Sequence, residues 1–346
     1  MQRGLVELEP AKRTREALQP AAPPAASSVR VLRQLTSPYG EELEEIACLA
    51  CGGTQSTVML EANDRLYGKP GSYRLVRCRS CDLVYQNPRP TLASLGAHYP
   101  NDYHCYVPPR KLPFFLRPLM TAASRGQARR RLKSIEKPLG RIQSDARLVD
   151  VGCGLNDFLK VVRDERGATG IGVDIKESVV GFVRDELQMP VVRGTLREAR
   201  LGTGEFDLVT MLEYLEHELD PLGVLSESRR LLKKGGHVAI EIPDIEGWPA
   251  RTFAHDWANL DLPRHLVFFE KKTLEQTFSK LGYRIVSHER FAIPLYIGIS
   301  VLFRLGCRDL ARHRTALVLL GHMLGIPFLP ALPWSPEFSF VIAQAV

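Results

Sequence analysis

Leu148-Val149-Asp150-Val151-Gly152-Cys153-Gly154-Leu155-Asn156-Asp157-Phe158-Leu159 decides how this chain is read. An apolar run suited to a buried strand stops at a Gly-x-Gly turn, and Phe158-Leu159-Lys160-Val161-Val162 then opens a helix. A strand, a bare-backbone turn and a helix N-terminus together let a nucleotide-type ligand lie against main-chain donors. Gly-x-Gly alone is common, so the continuation carries the weight. Asp174 closes a second apolar run, Thr169-Gly170-Ile171-Gly172-Val173, about 20 residues later. That is the spacing at which a carboxylate meets ribose hydroxyls.

Further along, Phe206-Asp207-Leu208-Val209-Thr210-Met211-Leu212-Glu213-Tyr214-Leu215-Glu216-His217-Glu218-Leu219-Asp220-Pro221 extends the pattern. It resembles the fourth strand and following loop of class I S-adenosylmethionine-dependent methyltransferases, one large subgroup of which carries Leu-Glu-His, a short spacer and Asp-Pro. Leu231-Leu232-Lys233-Lys234-Gly235-Gly236-His237-Val238-Ala239-Ile240-Glu241-Ile242-Pro243 is similar to the family's helix end, Gly-Gly turn and fifth strand. Pro263-Arg264-His265-Leu266-Val267-Phe268-Phe269 and a helix from Leu274 to Leu281 fit the segment before its sixth strand. The resemblance covers about residues 141–346. It implies an α/β fold, a doubly wound, Rossmann-like, mostly parallel seven-stranded sheet, with S-adenosyl-L-methionine as cofactor and methyl transfer as the activity.

Gly152 and Gly154 are expected to bring backbone close to the methionine part of that cofactor, with helix N–H groups facing its carboxylate. Asp150 is placed by the resemblance near the methionine amino group. Asn156 stands where a third glycine is usual, and Asn is the non-glycine residue that best tolerates positive φ. Asp174 is expected to accept from both ribose hydroxyls; the alternative is an N-cap for a helix beginning near Ser178. After a third strand, Val191-Val192-Arg193-Gly194, the family often has an acidic residue against the adenine amino group. Thr195 occupies that neighbourhood, so adenine contacts are expected from backbone atoms. Ile175 and Leu212 complete the expected cofactor wall.

Methyl transfer from a sulfonium is an in-line displacement, and positioning the acceptor does much of the work. A hydroxyl or carbon acid also needs a base. His217, just beyond the fourth strand at the carboxyl edge of the sheet, is the first candidate, with a loop-shaping role as its alternative. Glu216 is read as orienting the loop or binding an acceptor hydroxyl, and Tyr214 as lining the methyl pocket. His265 is a second candidate base, its alternative being a loop histidine bonded to backbone. Tyr99, Tyr103 and Tyr106 could cap the site or form a packing patch.

Four of the seven cysteines form two Cys-x-x-Cys knuckles, Cys48/Cys51 and Cys78/Cys81. Two such pairs can grip one tetrahedral ion. Ser56–Leu60 and Tyr73–Arg77 read as short strands between them, giving a small N-terminal zinc ribbon with structural Zn2+. Disulfides would need an oxidising compartment, and a redox pair a thioredoxin-like context; neither is indicated. Cys105, Cys153 and Cys307 read as packing residues. Cys81-Asp82-Leu83-Val84-Tyr85-Gln86-Asn87-Pro88-Arg89-Pro90 and His98-Tyr99-Pro100-Asn101-Asp102-Tyr103 resemble the ribbon-plus-tyrosine leader of a bacterial methyltransferase subgroup. In that subgroup Gly usually stands where this chain has Asp82. Its members often accompany sugar, polysaccharide or secondary-metabolite pathways.

The 346 residues carry a net charge of +7, unevenly placed. Residues 1–141 hold 22 Lys/Arg against 12 Asp/Glu, and the remainder 24 against 27. The densest part, Arg125, Arg129, Arg130, Arg131 and Lys133, reads as a solvated helix face or as a surface for an anionic substrate, membrane or RNA. Residues 1–40 are Ala-, Pro- and Arg-rich, interrupted by Glu7, Glu9 and Glu16, and read as a disordered leader without a signal peptide. A cytoplasmic location follows as an expectation.

The apolar stretch 292–336 reads as a helical insertion before the last strand, Phe338-Ser339-Phe340-Val341-Ile342-Ala343-Gln344-Ala345. Gly321, Gly325, Pro327, Pro330, Pro333 and His322 break it up, so it is not expected to span a bilayer. A buried hairpin or a homodimer face is expected, with peripheral membrane contact through Arg304, Arg308, Arg312 and Arg314 as the rival.

The expected organisation is therefore a leader (1–40), a zinc ribbon and Tyr-rich segment (41–108), a helical connector (109–140) and the methyltransferase domain (141–346). The expected reaction is O- or C-methylation of a small-molecule acceptor, a sugar, glycan precursor or secondary metabolite. RNA methylation is the first rival, though the Asn/Asp-Pro-Pro-aromatic motif of many base-nitrogen methyltransferases is absent after strand four. A non-catalytic cofactor-binding scaffold is the second.

Overall fold

The computed structural model describes residues 29–100, 103, 106, 108, 111, 114–115, 117–307 and 336–346. The first strands are β1 (Val31–Thr36), β2 (Glu42–Ile46), β3 (Ser56–Ala62), β4 (Tyr73–Cys78), β5 (Val84–Gln86) and β6 (Arg89–Pro90). They are followed by α1 (Leu92–Leu95) and α2 (Arg117–Leu139). Then come β7 (Arg147–Val151), α3 (Asp157–Arg166), β8 (Thr169–Asp174), α4 (Glu177–Asp185), β9 (Val191–Arg193) and β10 (Phe206–Leu212). The chain continues through α5 (Pro221–Leu231), β11 (Leu232–Pro243), α6 (Trp248–Phe253), β12 (Val267–Phe268) and α7 (Lys271–Lys280). It ends with β13 (Tyr283–Phe291), α8 (Pro294–Arg304) and β14 (Phe338–Ala345).

Seven strands form one sheet in the order β13-β14-β11-β10-β7-β8-β9. β11, β10, β7, β8 and β9 run parallel, while β14 is antiparallel to both neighbours. The order reverses between β7 and β10, and a doubly wound sheet opens its ligand crevice at such a reversal, beyond the carboxyl ends of the strands. This is the Rossmann-like fold expected from the strand, turn and helix at residues 148–162. The chemistry of the ends is local. Gly167, at φ +70, terminates α3 and donates its N–H to the Arg163 carbonyl. Asp220 caps α5 by accepting from Gly223 N–H at 3.0 Å, with Pro221 at the first helical position.

Each sheet face buries its own apolar layer. On one face α2 contributes Ala128, Leu132 and Ile135 to a cluster with Phe158, Leu159 and Val162 of α3 and Val179 and Val183 of α4. The segment read as a connector thus forms part of a helical layer. On the other face Ile46, Cys48, Val76, Cys78, Leu83 and Tyr85 pack with Leu215, Leu225, Val267, Leu274 and Phe278. The ribbon therefore shares a core with the large sheet. It also takes in a strand from later in the chain, because β12 pairs antiparallel with β5 in the four-stranded sheet β12-β5-β4-β3.

A buried ion cluster fixes that junction. Arg264, with 0% of its side chain exposed, donates to both carboxylate oxygens of Asp64 at 2.9 and 2.8 Å and to Asp261 at 2.6 Å. Replacing one partner would strand a buried charge.

Two expectations need correction. Residues 31–36, assigned to the leader, form β1, paired with β2. Its side chains are mostly exposed, so no burial pattern betrays it; the pairing comes from the turn, where Ser37 Oγ accepts from Tyr39 and Glu41 N–H and Gly40 takes φ +79. Arg304, considered a lipid contact, instead donates to Asp256 at 2.7 Å and to the Thr252 and Phe253 carbonyls. The start of the apolar insertion is α8, whose Ile297, Ile299, Leu302 and Phe303 are buried. Residues 1–28 of the leader, Cys105, and 308–335 of the insertion, with Arg308, Arg312, Arg314 and the Gly and Pro breakers, lie outside the described residues. No helix among the described residues is long and apolar enough to cross a membrane.

Candidate active site

β7 carries Asp150 to the carboxyl edge of the sheet, and the chain then turns through Gly152 at φ +67 and Gly154 at φ +50. Gly152 and Cys153 N–H donate back to the Val173 carbonyl at 2.8 and 3.2 Å, laying the turn across the end of β8. A Cβ on Gly152 would stand 2.1 Å from the Tyr214 ring, so this backbone has to be bare. Asn156 takes the left-handed conformation at φ +61 at the start of α3, its side chain buried and its Nδ2 3.7 Å from Met189 Sδ.

Asp174 is buried at the end of β8 and ties the turn in place. Its Oδ2 accepts from Gly154 N–H at 3.1 Å and its Oδ1 from Lys176 N–H at 2.9 Å. Burial raises its pKa against the pull of these N–H donors. Each oxygen keeps a second lone pair. Asp150 accepts from the Thr210 hydroxyl at 2.6 Å, and burial pushes it up to about 7. Ile175, 63% exposed beside Asp174, and Leu212, half-buried at the end of β10, border the same crevice edge. Thr195 is used differently: its N–H and hydroxyl both donate to Glu198 Oε2, at 2.8 and 2.9 Å, and its Oγ1 accepts from Glu198 N–H. That reciprocal cap occupies its polar atoms.

Beyond β10, residues 215–217 make one tight helical turn that delivers Glu216 and His217 to the site. One donor atom each from Glu216, His217 and His265 lie within 4.8 Å of one another. The two imidazole rings meet at 4.5 Å between centroids, inclined by 73°. His217 Nδ1 lies 3.1 Å from the Arg264 carbonyl and 3.0 Å from the Tyr99 hydroxyl; His265 Nδ1 lies 2.8 Å from the Asn259 carbonyl. A carbonyl only accepts, so these contacts put the proton on Nδ1 of each ring and the lone pair on Nε2. Burial, then the neighbouring His265, pushes His217 down to about 3. Glu216 is 1% exposed; burial holds its pKa well above the carboxylate range, and among the described residues neither carboxylate oxygen has a hydrogen-bond partner.

Three of the four catalytic candidates are thus brought together. Tyr214 is set apart from them: its ring covers Gly152 and its hydroxyl donates to Glu218, a carboxylate that burial pushes up to about 7. The Tyr-rich segment runs over the same edge. Tyr99 reaches His217, Tyr99 and Tyr103 meet at 5.2 Å, Tyr103 and Tyr106 at 5.3 Å, and Lys176 sits over Tyr106 at 5.4 Å. These rings lead from the 215–217 turn to the residues after Asp174.

The basic run of α2 has a role the sequence did not reveal. Arg131 donates to Glu241 and Glu213 at 2.9 and 2.6 Å, Arg130 to Glu241 at 2.8 Å, and Arg129 to Glu165 at 2.6 Å. Glu241 is fully buried in β11, and Glu213 sits at φ +58 where β10 leaves the sheet. Arg130 and Arg131 thus neutralise the buried Glu241 and the half-buried Glu213, while Arg129 pairs with the half-buried Glu165 of α3. Only excess positive charge on one helix hinted at it, since both partners lie about 80 or more residues away.

On the ribbon, Cys48 and Cys81 Sγ are 3.5 Å apart, as are Cys51 and Cys78, and all four sulfurs lie within 4.8 Å of one another. Those separations exceed a disulfide bond and suit thiolates around one ion. Gly53 and Ser80 N–H donate to Cys51 and Cys78 sulfurs at 3.4 Å. Asp82 turns the second knuckle at φ +66, the place of the usual glycine.

Residues 124–288 match a family model described as a methyltransferase domain. Stretches of the chain are similar to ubiquinone biosynthesis O-methyltransferases, from Methylococcus capsulatus at 35% identity over 96 residues (26% of this chain, 40% of the relative) and from Acinetobacter baylyi at 30% over 119 residues (31% and 48%). The chain thus spans less than half the length of these curated relatives. A SAM-dependent methyltransferase from Archaeoglobus fulgidus superposes with a TM-score of 0.45 at 21% identity, covering 67% of this chain and 99% of that one. The matched residues include the Gly152 turn, Asp174, the 215–217 turn and His265, and most of α2.

Proposed function

We propose that this protein is an S-adenosyl-L-methionine-dependent methyltransferase that methylates a hydroxyl oxygen of a small-molecule acceptor, in the class of sugars, glycan precursors and secondary metabolites. One observation carries it: a bare glycine turn, a ribose-type carboxylate and a Glu-His-His cluster converge where the strand order reverses. The names of the curated relatives, O-methyltransferases, support oxygen over carbon. The pairing of Arg129, Arg130 and Arg131 with Glu165, Glu213 and Glu241 weighs against the α2 helix face as a surface for RNA.

The residues present fit the cofactor. The Gly152-Cys153-Gly154 turn leads into the α3 N-terminus with the Tyr214 ring against Gly152, Asp174 offers its remaining lone pairs to ribose hydroxyls, and Asp150 faces a cationic amino group. Ile175 offers an apolar surface to a purine. S-adenosyl-L-methionine, when bound, supplies a methyl group on a sulfonium. His217, neutral and with its lone pair on Nε2, would take the proton of the acceptor hydroxyl as that oxygen receives the methyl group. Arg264 and Tyr99 hold that ring in its tautomer. The four cysteines would hold Zn2+ as a closed structural site, fastening the ribbon whose β5 supports β12 beside His265.

The experiment is incubation of the protein and methyl-labelled cofactor with cell extract, followed by identification of the labelled species. A labelled small-molecule ether supports the proposal. Labelled RNA, with activity falling steeply with salt, replaces it by the RNA reading. Cofactor binding without any labelled product replaces it by a binding scaffold.

A further inference from the structure

Helix α2 buries apolar side chains along only part of its length. Ala128, Leu132 and Ile135 pack into the domain, whereas residues 117–123 are all exposed. Leu119 is 57% exposed and Met120 38%, and just before the helix Phe114 and Phe115 are 79% and 66% exposed, their rings meeting edge to face at 5.6 Å. Four large apolar side chains thus face water within residues 114–120, and a clustered apolar patch of this kind marks an interaction surface. At about 100° per residue, Leu119 and Ala123 fall on the far side of the helix from Ala128, Leu132 and Ile135. The domain core is therefore not what covers them.

The charge of this segment has one sign. Between Asp102 and Glu136 the chain carries eight Lys/Arg and no Asp or Glu. Arg129, Arg130 and Arg131 pair with carboxylates of the domain. Lys111, Arg117 and Arg125 lie exposed before, among and after the apolar residues, with Arg125 3.8 Å from Glu165.

We infer that Phe114, Phe115, Leu119 and Met120 insert into the headgroup layer of an anionic lipid surface. Lys111, Arg117 and Arg125 then meet lipid phosphates, so the apolar and the electrostatic attraction act on the same face. A second copy of the chain suits the patch less well. A two-fold contact sets the same surface against itself, cation facing cation, with no carboxylate in the segment to answer it. Gln127, seven residues beyond Met120, donates to Glu213 at 3.0 Å where β10 leaves the sheet. The rise of a helix then puts lipid about 10 Å from the carboxyl edge on which the proposed site opens. The docking does not depend on the methyl-transfer reading; together the two imply an acceptor presented at a lipid layer.

The test is sedimentation of the full chain with vesicles of phosphatidylcholine, alone or mixed with phosphatidylglycerol. Wild type is compared with Phe114→Ser/Phe115→Ser and with Lys111→Gln/Arg125→Gln. All four positions are exposed, and an unchanged urea midpoint checks that each variant is folded. Wild type is expected to sediment with the anionic vesicles, and the aromatic variant to bind them about ten-fold or more weakly. The charge variant should lose about ten-fold at low salt. Absence of vesicle binding overturns the inference, as does equal binding by wild type and the aromatic variant, or equal binding to neutral and anionic vesicles. A concentration-dependent dimer that the aromatic variant abolishes, without vesicle binding, replaces the lipid by a second copy. Vesicle binding in protein that takes up no S-adenosyl-L-methionine removes the proposed reaction and leaves this surface standing.

Discussion

Asp174→Asn separates what this carboxylate does for the loop from what it does for the ligand. In the free protein both oxygens accept backbone N–H donors, Gly154 at 3.1 Å and Lys176 at 2.9 Å. Asparagine keeps one oxygen and turns an NH2 toward the other donor. One buried N–H then loses its acceptor, which costs about 1–3 kcal/mol of stability. The ligand suffers separately. A ribose hydroxyl loses a charge-assisted bond worth about 1.5–3 kcal/mol, which at 1.4 kcal/mol per decade is roughly 10- to 150-fold in affinity. Urea unfolding without cofactor reads the first quantity, and calorimetric titration with S-adenosyl-L-methionine at a temperature where both proteins are folded reads the second. The expected result is a loss in both. Lowered stability with a Kd within two-fold of wild type would mean that Asp174 only braces the turn, and the ribose assignment would fall.

Asp64→Ala leaves the Arg264 guanidinium, fully buried, with Asp261 alone; a destabilisation of about 3 kcal/mol is expected in urea unfolding, and less than 1 would show that the junction tolerates the charge. Asp150, at about 7 in the free protein, is protonated below that pH and cannot attract a cationic amino group. Cofactor affinity should therefore rise with pH through about 7, by roughly ten-fold from pH 6 to 8, with the slope flattened in Asp150→Asn. A wild-type slope no steeper than the variant's would remove Asp150 from the site. His217→Ala should cut turnover about 10²-fold or more with cofactor affinity unchanged; unaltered turnover would strip the ring of any part in the chemistry.

What the sequence made legible is what neighbouring residues dictate. The β7 turn needs bare backbone, Asp174 follows at the distance a βαβ unit sets, and Asp220-Pro221 is a cap followed by a residue pre-set for a first helical turn. These signals survive without knowledge of the rest of the chain. What escaped depends on partners far apart in sequence. β1 exposes its side chains and exists through pairing and a Ser37 turn. Arg130 and Arg131 looked like surface charge because Glu213 and Glu241, in another motif, gave no sign of reaching them. Thr195 was chosen by position after β9, while its chemistry was settled three residues on by Glu198. The full burial of Glu216 could not be found from sequence at all, because it is a property of the assembled interior.

The shared core of ribbon and sheet makes a last prediction about distance. Cys51 is an exposed member of the cysteine cluster, and the ribbon strand β5 pairs with β12, two residues after His265. On the proposal that the thiolates hold zinc, Cys51→Ser weakens the clamp on the second knuckle, and the displacement passes through β4 and β5 to β12, His265 and the Arg264 carbonyl that orients His217. Asp150, Gly152, Gly154 and Asp174, proposed for the cofactor, stand on or beside β7 and β8, which among the described residues pair with no strand of the ribbon. A shift of about 1 Å in a catalytic group can cost about 10² in rate. Turnover in Cys51→Ser should therefore fall by at least an order of magnitude while cofactor affinity moves less than about three-fold. Matched losses in both would mean that the whole domain has loosened. Retention of both would mean that the ribbon holds itself up and nothing else, and that the His265 strand keeps its place through Arg264 and Asp64 alone.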